Sequence, residues 1–219
     1  YRIEVFRATP QVPDLLASNT ITCLAEDNQQ RIWFGTEKGL YVLDKKNYQV
    51  SQYVPGGNPF AGKRVDALCV ANDGTVWASA RAHIFHLSPD GDVLGRYASV
   101  WHGKPVTVAD FYESRDGTLW VLQWEGGLSR YDVSTDSIRP CLWNCDAFPC
   151  QMTECGRDGD YWVATWGKGV VRYDPRTGVR LQPCTYTDKS QPGHKALVLG
   201  LLPDNSRQIL WVVAMDDLY

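Results

Sequence analysis

The chain has 219 residues, of which 44% are hydrophobic and 21% are charged. This composition supplies a sizeable core and is not that of a disordered chain. The net charge is −3, and Lys and Arg are scattered without a basic run, so the sequence does not favour a nucleic-acid partner. No stretch is apolar enough to span a bilayer, and no signal peptide is visible. We therefore expect a mature or excised segment.

The strongest pattern is an internal repeat. Five segments align without gaps on a tryptophan, and these anchors are separated by 44, 43, 42 and 49 residues. The anchors are Trp33, Trp77, Trp120, Trp162 and Trp211. Self-similarity at this period in strand-rich units predicts β-propeller blades. Because a large apolar residue that recurs at a fixed phase is typical of a core, we expect the anchors to be buried between blades.

Each unit is predicted to form four short strands, A to D. In the first unit these are ITCLAE, IWFGT, LYVLD and YQVSQYV, in which alternation and β-formers recur. Asp-Gly pairs follow strand A at 73–74, 116–117 and 158–159 and favour type I′ hairpins. No helical period persists. The sequence therefore predicts an all-β fold, a β-propeller of about five four-stranded blades.

The two ends of the chain fit the same repeat. Residues 1–6 (YRIEVF) resemble residues 48–53 (YQVSQY) and are predicted to be a strand D, while Tyr219 aligns with Tyr41 in strand C. We therefore expect residues 1–219 to be one β-propeller segment, a partial ring whose remaining blades complete a larger ring of the seven-bladed type.

Three units carry a specific motif. The segments WFGTEKGLYVLD, WVLQWEGGLSRYD and WVATWGKGVVRYDP resemble the W-x-G-T-x-x-G-L-x-x-Y-D unit of two-component regulator propeller repeats, as in the periplasmic sensor region of Bacteroides-type hybrid two-component sensor histidine kinases. The second and fifth units, WASARAHIFHLSPDG and WVVAMDDLY, depart from this motif.

The resemblance implies a periplasmic ligand-sensing segment of a membrane-anchored hybrid sensor kinase that responds to a glycan-derived oligosaccharide. The kinase, the membrane span and the response regulator are not in this sequence, so we expect the segment itself to be non-enzymatic, without a catalytic residue, metal or cofactor. Its implied partners are the oligosaccharide or another small ligand, the remaining ectodomain blades and a second copy of the sensor.

Ligands of propellers usually bind at the B–C and D–A connections. Trp124 and Trp166 each lie four residues after an anchor, and an aromatic plane beside polar groups suits a sugar ring. Basic side chains in these turns suit a uronate or a sulfate. The candidate ligand-binding residues are Trp124, Trp166, Arg81, Lys168, His83 and Glu125. The alternative is that both tryptophans pack between blades and that the charged residues are only solvated.

Seven cysteines are present, and Cys141, Cys145, Cys150 and Cys155 cluster. Their spacing is not the paired C-x-x-C of structural zinc sites. Cys150 and Cys155 lie at the two ends of a predicted strand A and are not expected to meet each other. A disulfide that involves Cys141 or Cys145, and inert thiols, both remain open.

Two other functions are weighed against the sensor. The second unit resembles repeats of streptogramin-lyase-type propellers, which use a histidine base, an acid and a metal, and His83, His102, His194 and Glu125 are the candidates. No two of them share a motif spacing, and a base needs a positioned partner. A protein-interaction propeller is the third function, and fold alone does not decide among the three.

Overall fold

The computed structural model of the chain contains only β-strands and connections in the part that it describes. The described residues are 5–8, 16–53, 58–125, 127–141, 148–181 and 197–215. Nineteen strands and no helix occur in these ranges, so none of these residues forms a helix that could cross a membrane. The chain divides into two compact units, residues 1–98 and 99–219. The predicted all-β propeller fold is confirmed.

Unit 1 consists of two four-stranded antiparallel sheets whose strands pair in chain order. Blade 1 comprises β1 (Ile21–Glu26), β2 (Arg31–Thr36), β3 (Gly39–Asp44) and β4 (Gln49–Gln52). Blade 2 comprises β5 (Val65–Val70), β6 (Val76–Ala80), β7 (His83–Leu87) and β8 (Val93–Ala98). The strands that the sequence predicted for the first unit are therefore all present. Of the predicted N-terminal strand, residues 1–4 lie outside the described residues, and Val5 and Phe6 are not in a strand.

Unit 2 contains a short hairpin and three further blades. The hairpin is β9 (Val100–Trp101) with β10 (Lys104–Pro105). Blade 3 comprises β11 (Val108–Glu113), β12 (Leu119–Gln123), β13 (Gly127–Asp132) and β14 (Ser137–Pro140). Blade 4 comprises β15 (Phe148–Cys155), β16 (Asp160–Trp166) and β17 (Gly169–Tyr173), and blade 5 comprises β18 (Val198–Asp204) and β19 (Ile209–Ala214). The fourth strand predicted for blade 4 begins in the described residues, where Arg180 forms an antiparallel bridge with Tyr173 and the Leu181 amide donates to the Arg172 carbonyl at 2.9 Å. Residues 182–196 and the third strand predicted for blade 5, in residues 216–219, lie outside the described residues.

The anchor tryptophan of blade 1 holds the two sheets of unit 1 together. Trp33, on β2, is 1% exposed and shares a core with Leu68 of β5 and Phe85 of β7. Its ring lies 5.7 Å from Tyr53, and Phe60 lies 4.8 Å from Phe85. Burying an aromatic side chain of this size removes a large apolar area from water and stabilises the contact between sheets.

Blades 3 and 4 of unit 2 pack in the same way. Trp120, which is 3% exposed, meets Tyr161 of blade 4 edge to face, with ring centroids 5.4 Å apart. Trp162 is partly buried and packs against a core that includes Val198 and Leu201 of blade 5. The expectation that every anchor is buried is wrong for Trp211, which is 38% exposed. Its strand belongs to blade 5, and among the described residues no further sheet covers that face.

Each strand A contains a β-bulge near its start, where the pairing register with strand B shifts by one residue. The extra residue is Thr22 in blade 1 and Cys150 in blade 4. The Thr22 hydroxyl donates to the Val65 carbonyl of the next blade at 2.6 Å, and the Cys150 thiol donates to the Val198 carbonyl at 3.1 Å. Val65 and Val198 each precede the bulge of their own strand, so Cys150 performs the structural role of Thr22.

The gapless alignment of the five units is wrong by one residue in strand A of blades 4 and 5. In blade 3, the strand-A residue that pairs with the anchor tryptophan is Tyr112, which lies eight positions before it in the sequence. In blades 4 and 5 the corresponding residues, Thr153 and Leu202, lie nine positions before their anchors. The turn between strands A and B is one residue longer in these two blades. Sequence similarity did not reveal this insertion because the flanking residues are all compatible with a strand.

The Asp-Gly turns are not of type I′, which requires positive φ at both residues. Gly74 has a φ of 85° but Asp73 is not in the left-handed region, and the Gly74 amide donates to the Ala71 carbonyl at 2.9 Å. The glycine therefore follows the turn as a left-handed bulge residue. The residue three before the anchor has positive φ in all five blades: Gln30, Gly74, Gly117, Gly159 and Gln208.

The two anchors with different burial give a matched test. We expect Trp120→Ala to lower the free energy of unfolding by about 3–5 kcal/mol, because it removes a buried aromatic and leaves a cavity. Trp211→Ala should cost no more than about 1 kcal/mol, because its side chain is already partly hydrated. Urea denaturation followed by circular dichroism measures both, and equal costs would contradict the packing described above.

The turn position three before the anchor gives a second test. Gln30→Gly should stabilise the chain and Gly117→Ala should destabilise it, each by about 1 kcal/mol, because only glycine occupies the left-handed region without a steric cost. A Cβ at Gly117 would meet no heavy atom within 4 Å, so the effect is conformational. Gly117→Asn is the control and should cost less than Gly117→Ala in the same thermal unfolding assay.

Candidate functional site

The B–C turns of blades 3 and 4 bring the two predicted tryptophans together. The rings of Trp124 and Trp166 meet edge to face, with centroids 4.7 Å apart and planes at 74°. The ring of Phe148 also lies beside Trp124, with centroids 5.8 Å apart. We call these three residues the aromatic cluster. Edge-to-face aromatic pairs of this kind stabilise each other's orientation beyond simple burial.

Backbone pairing fixes the position of each ring in the aromatic cluster. Trp166 is the last residue of β16 and pairs with Phe148, the first residue of β15. The Trp124 amide donates to the Thr107 carbonyl at 3.0 Å. The cluster therefore stands on sheet ends rather than on a long loop, which suits a preformed binding surface.

The aromatic cluster is open to solvent. Trp166 is 39% exposed and Phe148 is 46% exposed, and Trp124 is partly buried between them. Together the three rings form an apolar patch that is partly open to solvent at the ends of two blades. The accessibility that a binding role requires of the two indoles is present.

A buried amide secures the turn beneath Trp124. Gln123 is fully buried; its Nε2 donates to the Ser99 hydroxyl at 3.0 Å and to the Val100 carbonyl at 3.3 Å. Its Oε1 accepts a hydrogen bond from the Ser129 hydroxyl at 2.8 Å. Gln123 stands where blades 1 and 4 have a threonine that only closes its own turn. It therefore ties the D–A connection to the B–C turn.

Trp101 extends the aromatic surface on the opposite side of the same turn. Its ring lies flat on the backbone of Gly127, where an added Cβ would come within 2.3 Å of the indole. His102 follows, exposed, with its ring 5.0 Å from Trp101. Any side chain larger than hydrogen at Gly127 would displace Trp101, so this glycine is required by a close approach.

The charged candidates of unit 2 lie in the turns that carry the aromatic cluster. Glu125 follows Trp124 directly, and Lys168 lies two residues after Trp166; both are exposed. The structure thus places Trp124, Glu125, Trp166 and Lys168 in two neighbouring turns of one unit. A carboxylate and an ammonium group there supply an acceptor and donors for a polar ligand.

Arg81 and His83 belong to unit 1. Arg81 is exposed, has a φ of 55°, and its amide donates to the Asp66 carboxylate at 3.0 Å. Burial raises the pKa of the Asp66 carboxyl, although Arg64 opposes that rise. Burial lowers the pKa of His83, and the neighbouring charges of Arg96 and Lys63 lower it further. A ligand contact by Arg81 or His83 stays a prediction.

Sequence reasoning missed Phe148 and Gln123. Phe148 has no special spacing from an anchor, and only the strand pairing places it beside Trp124. Gln123 did carry a signal, because it replaces the threonine of the W-x-G-T motif at a position that is buried in blades 1 and 4.

A metal site requires ligating side chains that lie close together. No group of three His, Cys, Asp or Glu side chains among the described residues is arranged to hold a metal ion. His194 and Cys145 lie outside the described residues. Cys150 and Cys155 lie in one strand, as predicted, and Cys155 is buried, with its thiol 3.5 Å from the Ile209 carbonyl.

The repeated sheets and the aromatic cluster define the chain as a β-propeller repeat protein. Within it, residues 15–38 match the model of the family described as two component regulator propeller. The resemblance carried by the W-x-G-T units is therefore confirmed. No curated protein sequence matches the chain.

Solved structures share the fold at low sequence identity. The extracellular domain of a hybrid two component system from B. thetaiotaomicron superposes with a TM-score of 0.68 at 17% identity, over 96% of this chain and 28% of that one. The extracellular domain of a one component system from the same organism gives 0.72 at 19%, over 93% and 28%. Virginiamycin B lyase from Staphylococcus aureus gives 0.66 at 17%, over 89% and 63%. The chain thus spans less than two thirds of each of these proteins, and the likeness establishes the fold alone.

One buried carboxyl near the site gives a pH-dependent prediction. Asp110 follows the bulge of β11, and burial raises the pKa of its carboxyl to about 7 although the Phe111 amide donates to it at 2.9 Å. The folded chain keeps a proton that the unfolded chain, with a carboxyl pKa of 3.8, releases. The free energy of unfolding should therefore fall as the pH rises from about 4 to about 7 and then level off.

Asp110→Asn should remove that slope and be the more stable protein at pH 8, because a neutral amide has no charge to desolvate. Gln151 already occupies the equivalent position in blade 4. Asp132→Asn is the control of opposite sign, since the Ser134 hydroxyl lowers the pKa of Asp132. Chemical denaturation from about pH 2 to about pH 8 measures both slopes, because the Asp132 slope, along which stability rises with pH, lies below its unfolded pKa of 3.8. An unchanged slope above about pH 4 in Asp110→Asn would refute the assignment.

Proposed function

We propose that this chain is a non-enzymatic, ligand-sensing propeller segment of a membrane-anchored hybrid two-component sensor kinase, and that its ligand is a glycan-derived oligosaccharide bound in the periplasm. The observation that carries the proposal is the aromatic cluster, in which Trp124 and Trp166 meet at 4.7 Å and remain accessible. The two-component regulator propeller match in blade 1 and the extracellular location of the similar ectodomains support it.

The chemistry of the aromatic cluster suits a sugar. A pyranose ring has an apolar face that stacks on an indole, while its hydroxyl groups need donors and acceptors at the edge. Trp166 and Phe148 offer exposed ring surface. Glu125 and Lys168 offer an acceptor and donors beside it. Lys168 gives an acidic sugar an advantage that weakens with added salt.

Signalling requires that the ligand distinguish between two arrangements of the sensor. A ligand shifts an equilibrium only by its difference in affinity for the two states. We propose that the oligosaccharide favours one arrangement of paired ectodomains, which include the remaining blades and a second copy of the sensor. Phosphoryl transfer then belongs to the kinase of the parent protein.

A lyase is the less favoured function. The lyases superpose on this chain about as well as the sensor ectodomains do, so the fold does not separate them. A general base needs an acid or a hydrogen-bond partner that orients it. His83 instead has Arg96 and Lys63 as its charged neighbours. Neither of these neighbours is an acid that could orient the imidazole as a base.

The test is a binding titration with the complete ectodomain that contains this chain. Neutral, uronate-containing and sulfated oligosaccharides are titrated by calorimetry, and the mixtures are then analysed for cleavage. Trp124→Ala and Trp166→Ala should each weaken binding about tenfold, since loss of one stacking partner costs about 1–2 kcal/mol. The melting temperature of Trp166→Ala should barely change because its ring is already 39% exposed.

Met215→Ala is the matched control, because Met215 holds the same turn position in blade 5 and is 66% exposed. It should leave binding unchanged. Lys168→Gln should weaken only acidic ligands, and less so at high salt. A destabilised Trp124→Ala protein that still binds normally would contradict the site. Cleavage that disappears on substitution of His83 or His102 would favour the lyase.

A further inference from the structure

Two basic side chains of unit 1, Arg96 and His83, lie beside the ring of Phe85, and a third, Lys63, is close enough for its charge to act on His83. The Arg96 guanidinium carbon lies 5.6 Å from the centroid of Phe85, and the His83 ring lies 6.4 Å from it. Lys63 follows Phe60 in the connection between blades 1 and 2, and the Phe60 ring lies 4.8 Å from Phe85. We call Lys63, His83 and Arg96 the basic cluster.

No carboxylate neutralises the basic cluster in the described part of the chain. The Lys63 ammonium donates to the Pro59 carbonyl at 2.7 Å, and Arg96 lies over the ring of Phe85. The nearby Arg64 differs, because Glu37 and Asp66 lie within 3.6 Å and 3.2 Å of its guanidinium group. The fold has thus paired one cation of this region and left the charges of Lys63 and Arg96 to oppose protonation of His83.

The lowered pKa of His83 is consistent with repulsion from Lys63 and Arg96. Burial lowers the pKa of its imidazole first, and the charges of Arg96 and Lys63 lower it further. Like charges that converge without a counter-charge are costly, and such arrangements concentrate at binding sites. Arg96 is exposed, and Lys63 and His83 are partly buried, so an anion has access to the basic cluster.

We propose that the basic cluster binds the sulfate ester of an acidic oligosaccharide. An ammonium, a guanidinium and an imidazolium can each donate to one of the three terminal oxygens of a sulfate ester, whereas a carboxylate offers only two. Charge-assisted hydrogen bonds of this type are the strong ones. The proposal rests on the proposed function because it assumes a saccharide ligand, but it concerns other residues, in unit 1.

Sulfate binding and protonation of His83 should favour each other. A bound sulfate stabilises the charged form of His83, so binding raises the pKa of His83 and, by linkage, sulfate affinity rises as the pH falls through that pKa. Each unit by which sulfate raises this pKa corresponds to tenfold tighter binding to the protonated form. A histidine with only a structural role would show no such shift.

The experiment follows the His83 imidazole by NMR in the full chain with labelled histidine. The His83 signal is assigned by its loss in His83→Gln. Its pKa is measured alone, with inorganic sulfate, with a sulfated disaccharide and with the same disaccharide after desulfation. We expect the sulfated disaccharide to raise the pKa of His83 by about one unit at a lower concentration than inorganic sulfate, and the desulfated disaccharide to leave it unchanged.

Variants identify the residues responsible. Arg96→Gln and Lys63→Gln should each raise the pKa of His83 in the absence of ligand and weaken binding of the sulfated disaccharide about tenfold. Lys45→Gln makes the same charge change in the C–D turn of blade 1, where Lys45 pairs with Glu26 at 2.6 Å, and should change neither quantity.

The outcomes separate this proposal from the proposed function. No shift of the His83 pKa with any sulfated probe overturns the sulfate site, whatever happens at the aromatic cluster. Equal concentration dependence for inorganic sulfate and the sulfated disaccharide overturns the saccharide part and identifies a free-anion site. Unchanged sugar binding in Trp166→Ala, together with a normal His83 response, would instead contradict the aromatic site of the proposed function and leave the sulfate site standing.

Discussion

Within each unit, the packing of an anchor tryptophan against the following sheet is the contact on which the rest of the structure depends. A single four-stranded sheet cannot bury both of its faces, and so a large ring at a fixed phase must meet the next sheet. Trp33 does this within unit 1, and Trp120 and Trp162 do it within unit 2. Where the described residues contain no following sheet, as for Trp211, the same side chain is exposed.

This packing leaves the B–C turns free to differ. The residue four after the anchor is Glu37, Arg81, Trp124, Trp166 and Met215 in successive blades. None of these positions is needed for the core, because the sheets beneath them are already held by the anchors and by the bulge contacts of strand A. The fold therefore tolerates rings in two adjacent turns and charges in others, and function can vary while the repeat stays constant.

The two proposed binding surfaces use different physical chemistry. The aromatic cluster offers exposed ring surface, whose interaction with a ligand is insensitive to salt. The basic cluster offers the permanent charges of Lys63 and Arg96 and the titratable His83, so its interaction with an anion is screened by salt and depends on the protonation of His83. The same repeat fold is found in sensor ectodomains and in lyases, and only such local chemistry distinguishes one use from another.

The sequence by itself determined the repeat, the strand order and the positions of the anchors, because alternation with period two and a recurring tryptophan are local patterns. It also placed Trp124 and Trp166 at the same distance in sequence from their anchor tryptophans, and hence in equivalent turns. The tertiary structure alone decided that their rings touch, that Phe148 joins them, and that Lys63 and Arg96 surround His83. These contacts join residues that are distant in the chain, and they depend on strand register. The one-residue insertion in blades 4 and 5 shows that a register shift leaves too weak a trace in the sequence for such contacts to be predicted.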